Sequence, residues 1–497
     1  MPQPQLIGLD VGTTSCKGGL FDGRGRLLAL ATSPYPVQRP RPGYVEQSAE
    51  WYWDGAKECI RELLASPAAD PRLLAGFSAC GQAPTLILLD ADALPIRPAI
   101  LWQDTRAAAE AEALARDPGT NVLAAWLGLR WPVDASLPLA RFLWLRHNEP
   151  ECLARTRTVL LPKDLVHLRL TGRASTDTWS AKGLVHQGTR LPLAALHDLC
   201  GLDASIIPPV AHSDEVVGRV SASAASATGL PEGLPVVAGW TDAMAAMLGS
   251  GALDRAGLAA DVSGTSEVIG LTLNGRPETT GPLLVSPVVN TGRWQLYGPT
   301  QSSGGSLGWA LHALATPPLD VAGALTLAES APPGADDLIF LPYLEGERAP
   351  LWDPRARGAF IGLTSSHSQA HLLRAILEGV AYSVRHILHM AEALAGTTAR
   401  ELRVAGGGSR LALWNQIKAD VTGRQVCPCV TSENGVLGAA MLAATGAGVH
   451  ADVTAAGAGM VQLDPAVAPQ PHLWDLYDRG FERYVALSQI TALRAAH

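Results

Sequence analysis

Two short runs of residues in this 497-residue chain have the types and spacing to do chemistry. Leu6-Ile7-Gly8-Leu9-Asp10-Val11-Gly12-Thr13-Thr14-Ser15 is echoed half the chain later by Leu258-Ala259-Ala260-Asp261-Val262-Ser263-Gly264-Thr265-Ser266. Each copy runs a hydrophobic strand into Asp and then into a turn of Gly, Thr and Ser, which reads as a β-hairpin with an acid at its mouth. Backbone N–H groups and hydroxyls make such a turn an anion cradle, and glycine lets the ligand approach the main chain. Two copies in register, facing each other, would grip a polyphosphate from both sides. One copy alone would be indistinguishable from an ordinary tight turn. The Asp10 carboxylate would repel a phosphate directly, so it is expected to hold Mg²⁺ through water. Thr13, Thr14 and Ser15 are expected to donate to phosphate, with Lys17 adding charge. Gly264 and Thr265 would face the β- and γ-phosphates.

Asp242 is the sharpest single candidate. The apolar stretch Val236-Val237-Ala238-Gly239 reads as a buried strand ending in Trp240-Thr241-Asp242, which feeds a small-residue helix over 243–248. A helix N-terminus favours the ionised carboxyl. Phosphoryl transfer asks for an aligned hydroxyl, neutralised phosphates and one proton acceptor, and Asp242 fits the last role. Gly406-Gly407-Gly408-Ser409 also follows an apolar strand and precedes a helix, where a flat or anionic ligand could meet the backbone. It lacks the Gly-Lys-Ser/Thr of a Walker A loop. Glu345-Gly346-Glu347-Arg348 reads as an internally salt-bridged turn, and His167, His212 and His386 as surface or core residues.

The elements that must position these residues repeat. A meander of strands over 6–9, 18–22 and 27–32 leads to a helix over 49–65, with Ser48 as N-cap and Trp51, Ala56, Ile60 and Leu63 as its buried stripe. A strand over 74–80 comes next, then helices to about residue 246. The second half has a meander around the second turn, a Ser302-Ser303-Gly304-Gly305-Ser306 loop opening a helix, a long helix over 369–395 and a last helix over 473–487. The length suits two domains, expected at 1–247 and 248–497.

Charged residues are 17% and apolar ones 47%, a globular balance, and the formal net charge of −8 with no basic run argues against a nucleic-acid surface. No apolar run approaches the roughly 20 residues that span a bilayer. A strand begins almost at once after a polar start, so no signal peptide is expected. The seven scattered cysteines read as reduced thiols of a cytoplasmic protein, and Cys427-Pro428-Cys429 as plain strand, since no second Cys/His pair lies near it.

Taken together, these segments make the whole chain similar to the FGGY carbohydrate kinases, and within them most to the xylulose kinases. The resemblance rests on residues 8–17, on Gly43-Tyr44-Val45-Glu46-Gln47 with Trp51 and Trp53, and on Leu101-Trp102-Gln103-Asp104-Thr105-Arg106. Leu161-Pro162-Lys163-Asp164 and the stretch from Gly358 through His371-Leu372 to Glu378 come next in the family's order. It implies an α/β chain of two actin-like, ribonuclease-H-like domains from a duplicated fold, with ATP, Mg²⁺ and sugar in the cleft between them. It also implies nucleotide contacts from Gly264, Thr265, Gly304, Gly305 and Gly406, Gly407 and Gly408, and Asp242 as the base that activates a primary hydroxyl. The expected activity is phosphorylation of a ketopentose such as D-xylulose to its 5-phosphate. Another ketose, a polyol, a sugar acid, or a sugar-binding regulator without catalysis are the alternatives. The sugar would lie against Gln82, Ala83, Trp102, Asp104 and Asp242, and a homodimer is compatible with the sequence. An actin- or Hsp70-like ATPase would share the turns but would need a polymer- or peptide-binding surface that the sequence does not show. The chain departs from the family where Ala83-Pro84 replaces the usual Met-His, where Arg141 replaces Lys, and where Trp-Thr-Asp-Ala surrounds Asp242; a lost hydrogen bond at the sugar could change the preferred acceptor.

Overall fold

The computed structural model describes residues 3–314 and 317–490. The chain forms two compact units. The first runs to Gly249 and takes in Val289–Thr291 and Gly435–Val461; the second holds the described residues of Ser250–Val288 and Gly292–Asn434 and those from Gln462 to Ile490. The units are therefore not the two continuous halves expected from a single cut at 247/248, because a late segment returns to the first. Residues 491–497 of the expected second domain lie outside the described residues.

In the first unit β1 (Gln5–Val11), β2 (Ser15–Asp22) and β3 (Leu27–Pro34) form the expected antiparallel meander. With β4 (Leu74–Gly81), β5 (Val216–Arg219) and β6 (Pro235–Val237) they make a sheet of order β5-β6-β4-β1-β2-β3, in which β1, β4 and β6 run parallel. Successive side chains of a strand point to opposite faces. Ile7, Leu9, Val11, Phe77 and Ala79 enter one core beneath the helices Ala49–Ala65 and Pro162–Thr171. Ala56, Ile60 and Leu63 are buried there as expected, Trp51 only partly, and Ser48 makes no side-chain cap bond. The other face carries Gly8, Asp10, Gly76 and Cys80. A Cβ on Gly8 would stand 2.1 Å from the carbonyl oxygen of Val436, and one on Gly76 3.0 Å from that of Ala443. The helix Asn434–Gly446 thus lies directly on strand backbone, which is why its segment belongs to the first unit.

The second unit repeats this frame. β7 (Leu258–Ser263), β8 (Glu267–Leu273), β9 (Leu284–Pro287), β10 (Trp294–Thr300), β11 (Glu401–Gly406) and β12 (Gln425–Pro428) take the order β9-β10-β8-β7-β11-β12. Again a hairpin and a third antiparallel strand lie on one side of the leading strand, and two parallel strands on the other. The helix Gln369–Ala395 has the expected bounds and supplies much of the core, into which Tyr477, Phe481 and Tyr484 of the last helix also pack. Cys427 lies in β12, all seven cysteines are free, and the described residues hold no group of three or more His, Cys, Asp or Glu able to bind a metal. Among them no helix is long and apolar enough to cross a membrane. His167 and His386 are buried, the former edge-on to Phe77, whereas His212 is half-buried.

Gly8→Ala should destabilise the protein by roughly 1–3 kcal/mol in a denaturant titration, because the methyl group meets main chain that cannot rotate away. Burial holds the His386 imidazole down to about 4. The folded state then prefers neutral His386, so its contribution is complete above the unfolded value of about 6.5 and is lost as pH falls toward 4. Relative to His386→Leu, the wild type should lose up to about 3 kcal/mol of stability across that window.

Candidate active site

Because β1, β4 and β6 run parallel, their C-terminal ends share one edge of the sheet. Asp10 pairs with Cys80 and Val11 with Gly81 in the ladder, and Gly81 forms a parallel bridge with Thr241. The Gly81 N–H donates to Trp240 O at 3.3 Å and the Gln82 N–H to Val11 O at 3.1 Å. Asp10, Gln82 and Asp242 are therefore delivered by three adjacent strand ends. Burial raises the Cys80 thiol most, and the carboxylates of Asp10 and Asp242 raise it further. Asp242 opens the helix Asp242–Gly249 and is half-buried, with Oδ1 accepting the Ala243 N–H at 2.7 Å.

The first turn, residues 12–14, is braced from below. Gly12 O accepts from Tyr35 Oη at 2.7 Å and Gln82 Nε2 at 3.1 Å, and Thr13 O from Gln47 Nε2 at 2.7 Å. The Thr13 hydroxyl donates to Gln82 Oε1 at 3.3 Å and accepts from Trp102 Nε1 at 3.0 Å. No backbone carbonyl of the described residues takes the Thr13 or Thr14 N–H, so these donors are what the turn has to offer an anion. Lys17 sits directly across the hairpin from Asp10, and opposed residues share a face. The Gly435 backbone comes close to Asp10: a Cβ there would stand 3.3 Å from Asp10 Oδ2 and 3.9 Å from Cys80 Sγ. A hard carboxylate such as Asp10 fits Mg²⁺, which usually keeps waters and takes its other ligands from substrate phosphates.

Several residues expected to contact the sugar turn inward instead. Gln82 is buried, and its Nε2 also donates to Gln47 Oε1 at 3.1 Å while Oε1 accepts from Thr85 Oγ1 at 3.2 Å. Asp104 is engaged within the protein: Oδ1 accepts from the Arg106 N–H and Nε at 3.0 and 2.8 Å, and Oδ2 from the Val45 N–H at 2.6 Å and Arg106 Nη2 at 2.7 Å. Both oxygens shape the loops around residues 45 and 106. Trp102 is half-buried with its side-chain donor on Thr13 and its backbone N–H on Thr85 Oγ1, so it offers a ring face rather than a hydrogen bond. Ala83 is half-buried beside Pro84, whose carbonyl is held by Arg141 Nη1 at 2.9 Å. The same guanidinium reaches Ile100 O at 3.3 Å, Leu101 O at 2.6 Å and, through Nε, Ala135 O at 3.1 Å. Burial lowers it only to about 10, so it stays charged. A lysine has no planar fork to hold four carbonyls. The sequence marks Arg141 only as a departure; its role shows in three dimensions.

The second turn, residues 264–266, is closed by the Gly264 N–H on Ser266 O at 2.7 Å. It is locked to the entrance of the helix Gly304–Ala313: the N–H groups of Ser303 and Gly305 donate to Thr265 O at 2.9 and 3.0 Å, and that of Gly304 to Gly264 O at 3.1 Å. A Cβ on Gly304 would stand 2.6 Å from Gly264 O. Gly304 and Gly305 therefore spend their N–H groups on the protein and act by close approach. Of the three glycines, Gly406 has φ +81° and a Cβ there would lie 2.1 Å from Ser263 O, and Gly408 also packs on Ser263, whereas Gly407 faces open space.

Asp261 corrects the expectation of an acid at the mouth of each turn. It is fully buried, and Lys418 pairs with it and, at 2.9 Å, with Glu267, while Ser263 Oγ donates to Asp261 Oδ1 and Glu267 Oε1, both at 3.1 Å. Burial and the neighbouring Asp261 raise the Glu267 carboxyl, and Lys418 opposes them. The offset explains the difference: Asp10 stands two residues before Gly12, Asp261 three before Gly264, and one residue moves a side chain to the other face. Glu347, expected in a salt bridge, accepts the N–H groups of Gln301 and Arg348 at 2.7 and 2.8 Å, and burial pushes it up to about 8.

Residues 5–249 match the N-terminal domain of the FGGY family of carbohydrate kinases and residues 259–447 its C-terminal domain. The chain belongs to the FGGY family of carbohydrate kinases. The kinase is 31% identical to xylulose kinase of Lactococcus lactis over 96% of this chain and 95% of that one. It is 30% identical to L-xylulose/3-keto-L-gulonate kinase of Escherichia coli over 99% and 97%. The crystal structure of xylulose kinase from Rhodospirillum rubrum superposes with a TM-score of 0.86 at 30% identity, covering 97% of this chain and 98% of that chain. An α/β fold of two domains and an ATP-dependent sugar kinase activity follow.

Arg141→Lys should raise the acceptor KM and destabilise the kinase by about 1–3 kcal/mol, since buried carbonyls lose their donors. Steady-state kinetics with thermal melts would show both effects.

Proposed function

We propose that the kinase transfers the γ-phosphoryl group of ATP to the primary hydroxyl of a ketopentose, D-xylulose giving its 5-phosphate, with Asp242 as the base. The observation that carries this reading is the convergence of Asp10, Gln82 and Asp242 at three parallel strand ends, with both carboxylates acting on the Cys80 thiol. The names of the relatives support the choice of sugar.

In the reaction the acceptor oxygen forms a bond to the γ-phosphorus as the bond to the β,γ-bridging oxygen breaks. The hydroxyl proton passes to Asp242, and ADP leaves. The Thr13 and Thr14 N–H groups, with Lys17, meet phosphate oxygens, and Gly264, Thr265 and the open face at Gly407 serve the nucleotide. Gly304 and Gly305 hold the second turn in shape. Asp10 would hold Mg²⁺, which neutralises phosphate charge when bound. Trp102 gives the acceptor an apolar wall. Seven free cysteines suit a reducing cytoplasm.

Asp242→Asn should lower the rate of acceptor-dependent ADP release at least about a hundredfold. Its affinity for ATP, read by calorimetry, should stay within about threefold of wild type, because the residue meets acceptor rather than nucleotide. Full activity in that variant would sink the assignment.

A further inference from the structure

If the sugar is to be recognised by hydrogen bonds, the residues around Asp242 leave few to make them. Both Asp104 oxygens, the Gln82 amide and the Trp102 N–H are engaged within the protein, and Ala83-Pro84 brings no side-chain donor. Lys182 differs. It is buried with 7% of its surface left exposed, and its Nζ lies 5.2 Å from the ring centroid of Trp131 and 5.4 Å from that of Trp179. Those two indoles meet edge to face at 5.9 Å. Among the described residues none accepts a hydrogen bond from this ammonium. The Asp177 carboxylate pairs at 3.0 Å with Lys163 instead.

The position of Lys182 is fixed from the same strand end that carries Asp242. Asp177 Oδ2 accepts the N–H groups of Trp179 and Ser180 at 2.9 and 3.0 Å and Ser213 Oγ at 3.3 Å, which shapes the turn leading to Lys182. Ser213 O in turn accepts the Gly239 N–H at 2.9 Å, and Lys163 Nζ reaches Ala238 O at 2.9 Å. The Lys182 turn is thereby bolted to residues 238–239, just ahead of Asp242. The ammonium lies within electrostatic reach of Asp242: burial lowers it to about 8, and the Asp177 and Asp242 carboxylates counter that. A buried ammonium without a hydrogen-bonded partner is costly, and a ligand oxygen would remove the cost.

We propose that Lys182 is a specificity-determining residue of the acceptor site, its ammonium donating to a hydroxyl or keto oxygen of the sugar while Trp131 and Trp179 flank the contact. This rests on the sugar-kinase reading above. Lys182 then supplies the polar recognition that Ala83-Pro84 cannot, from a different side of the acceptor, so the preferred stereochemistry is set at Lys182. Phosphate binding is untouched by it.

The test compares wild type with Lys182→Met and Lys182→Gln on D-xylulose and a panel of ketoses and polyols, by ADP release, with thermal melts of each protein. Lys182→Met should raise the acceptor KM at least tenfold with the ATP KM unchanged within twofold and no fall in Tm. Lys182→Gln, which keeps a donor, should recover part of the loss, and the rank order of acceptors should change in both variants. An unchanged acceptor KM would overturn the inference, and so would a parallel loss of ATP and acceptor binding with a lowered Tm, which would make Lys182 a packing residue. If the wild type phosphorylates no acceptor, the sugar-kinase reading fails and this inference with it; a working wild type indifferent to Lys182 overturns this inference alone.

Discussion

Parallel pairing of β1, β4 and β6 is the constraint on which the first unit's chemistry depends. Parallel strands end at the same edge, so Val11, Gly81 and Thr241 are held side by side by the N–H of Gly81 on Trp240 O and that of Gln82 on Val11 O. The residues just past each strand end are then delivered to one place: the Gly12-Thr13-Thr14 turn, the Gln82-Ala83-Pro84 loop and Asp242. Everything nearby serves to keep that edge in shape. Arg141 holds the Pro84 and Leu101 carbonyls, Asp104 holds Arg106 and the Val45 N–H, and Lys163 ties Asp177 to Ala238. The buried Arg141, Asp104 and Lys163 are thus paired or hydrogen-bonded to carbonyls, as the cost of isolating a charge requires, and Lys182 is the exception.

The frame occurs twice, and its two copies have diverged in what the acid does. In the first, Asp10 shares a face with Gly8, where a helix lies on bare backbone and brings Gly435 beside the carboxylate. In the second, Asp261 points into the body of the unit and forms a buried cluster with Lys418, Glu267 and Ser263. That cluster anchors β7 and β8 at the base of residues 264–266. The acid of the first copy thus stays on the face that carries Gly8, and the second turn is held rigid by an ion pair of its own.

Much of this is legible in the sequence. The meanders, the helix Gln369–Ala395 and the placement of Asp242 at a strand-to-helix junction come from apolar periodicity and turn residues, which are local signals. Other features are not. Chain length suggests one cut, but Gly8 and Gly76 accept a helix from beyond residue 430, and no local pattern announces a partner that remote. Matching the repeats by their Asp residues conceals a one-residue difference in hairpin register, which sends the two carboxylates to opposite faces. Asp104 and Gln82 have the polarity of ligand contacts, and only their hydrogen-bond partners reveal that the protein consumes it. Lys182 is a single lysine after Trp179-Ser180-Ala181, a context that carries no sequence signal.

The central claim, that one acid of the repeated frame serves the ligand and the other serves the fold, is tested most directly by a matched pair of substitutions. Asp10→Asn and Asp261→Asn would be compared for acceptor-dependent ADP release and for stability to denaturant. Asp10→Asn should abolish turnover with stability nearly unchanged. Asp261→Asn should cost about 3–5 kcal/mol of stability by breaking a buried pair, while whatever remains folded turns over normally. A stable Asp261→Asn protein that has lost turnover, or an Asp10→Asn protein with full turnover, would contradict the account.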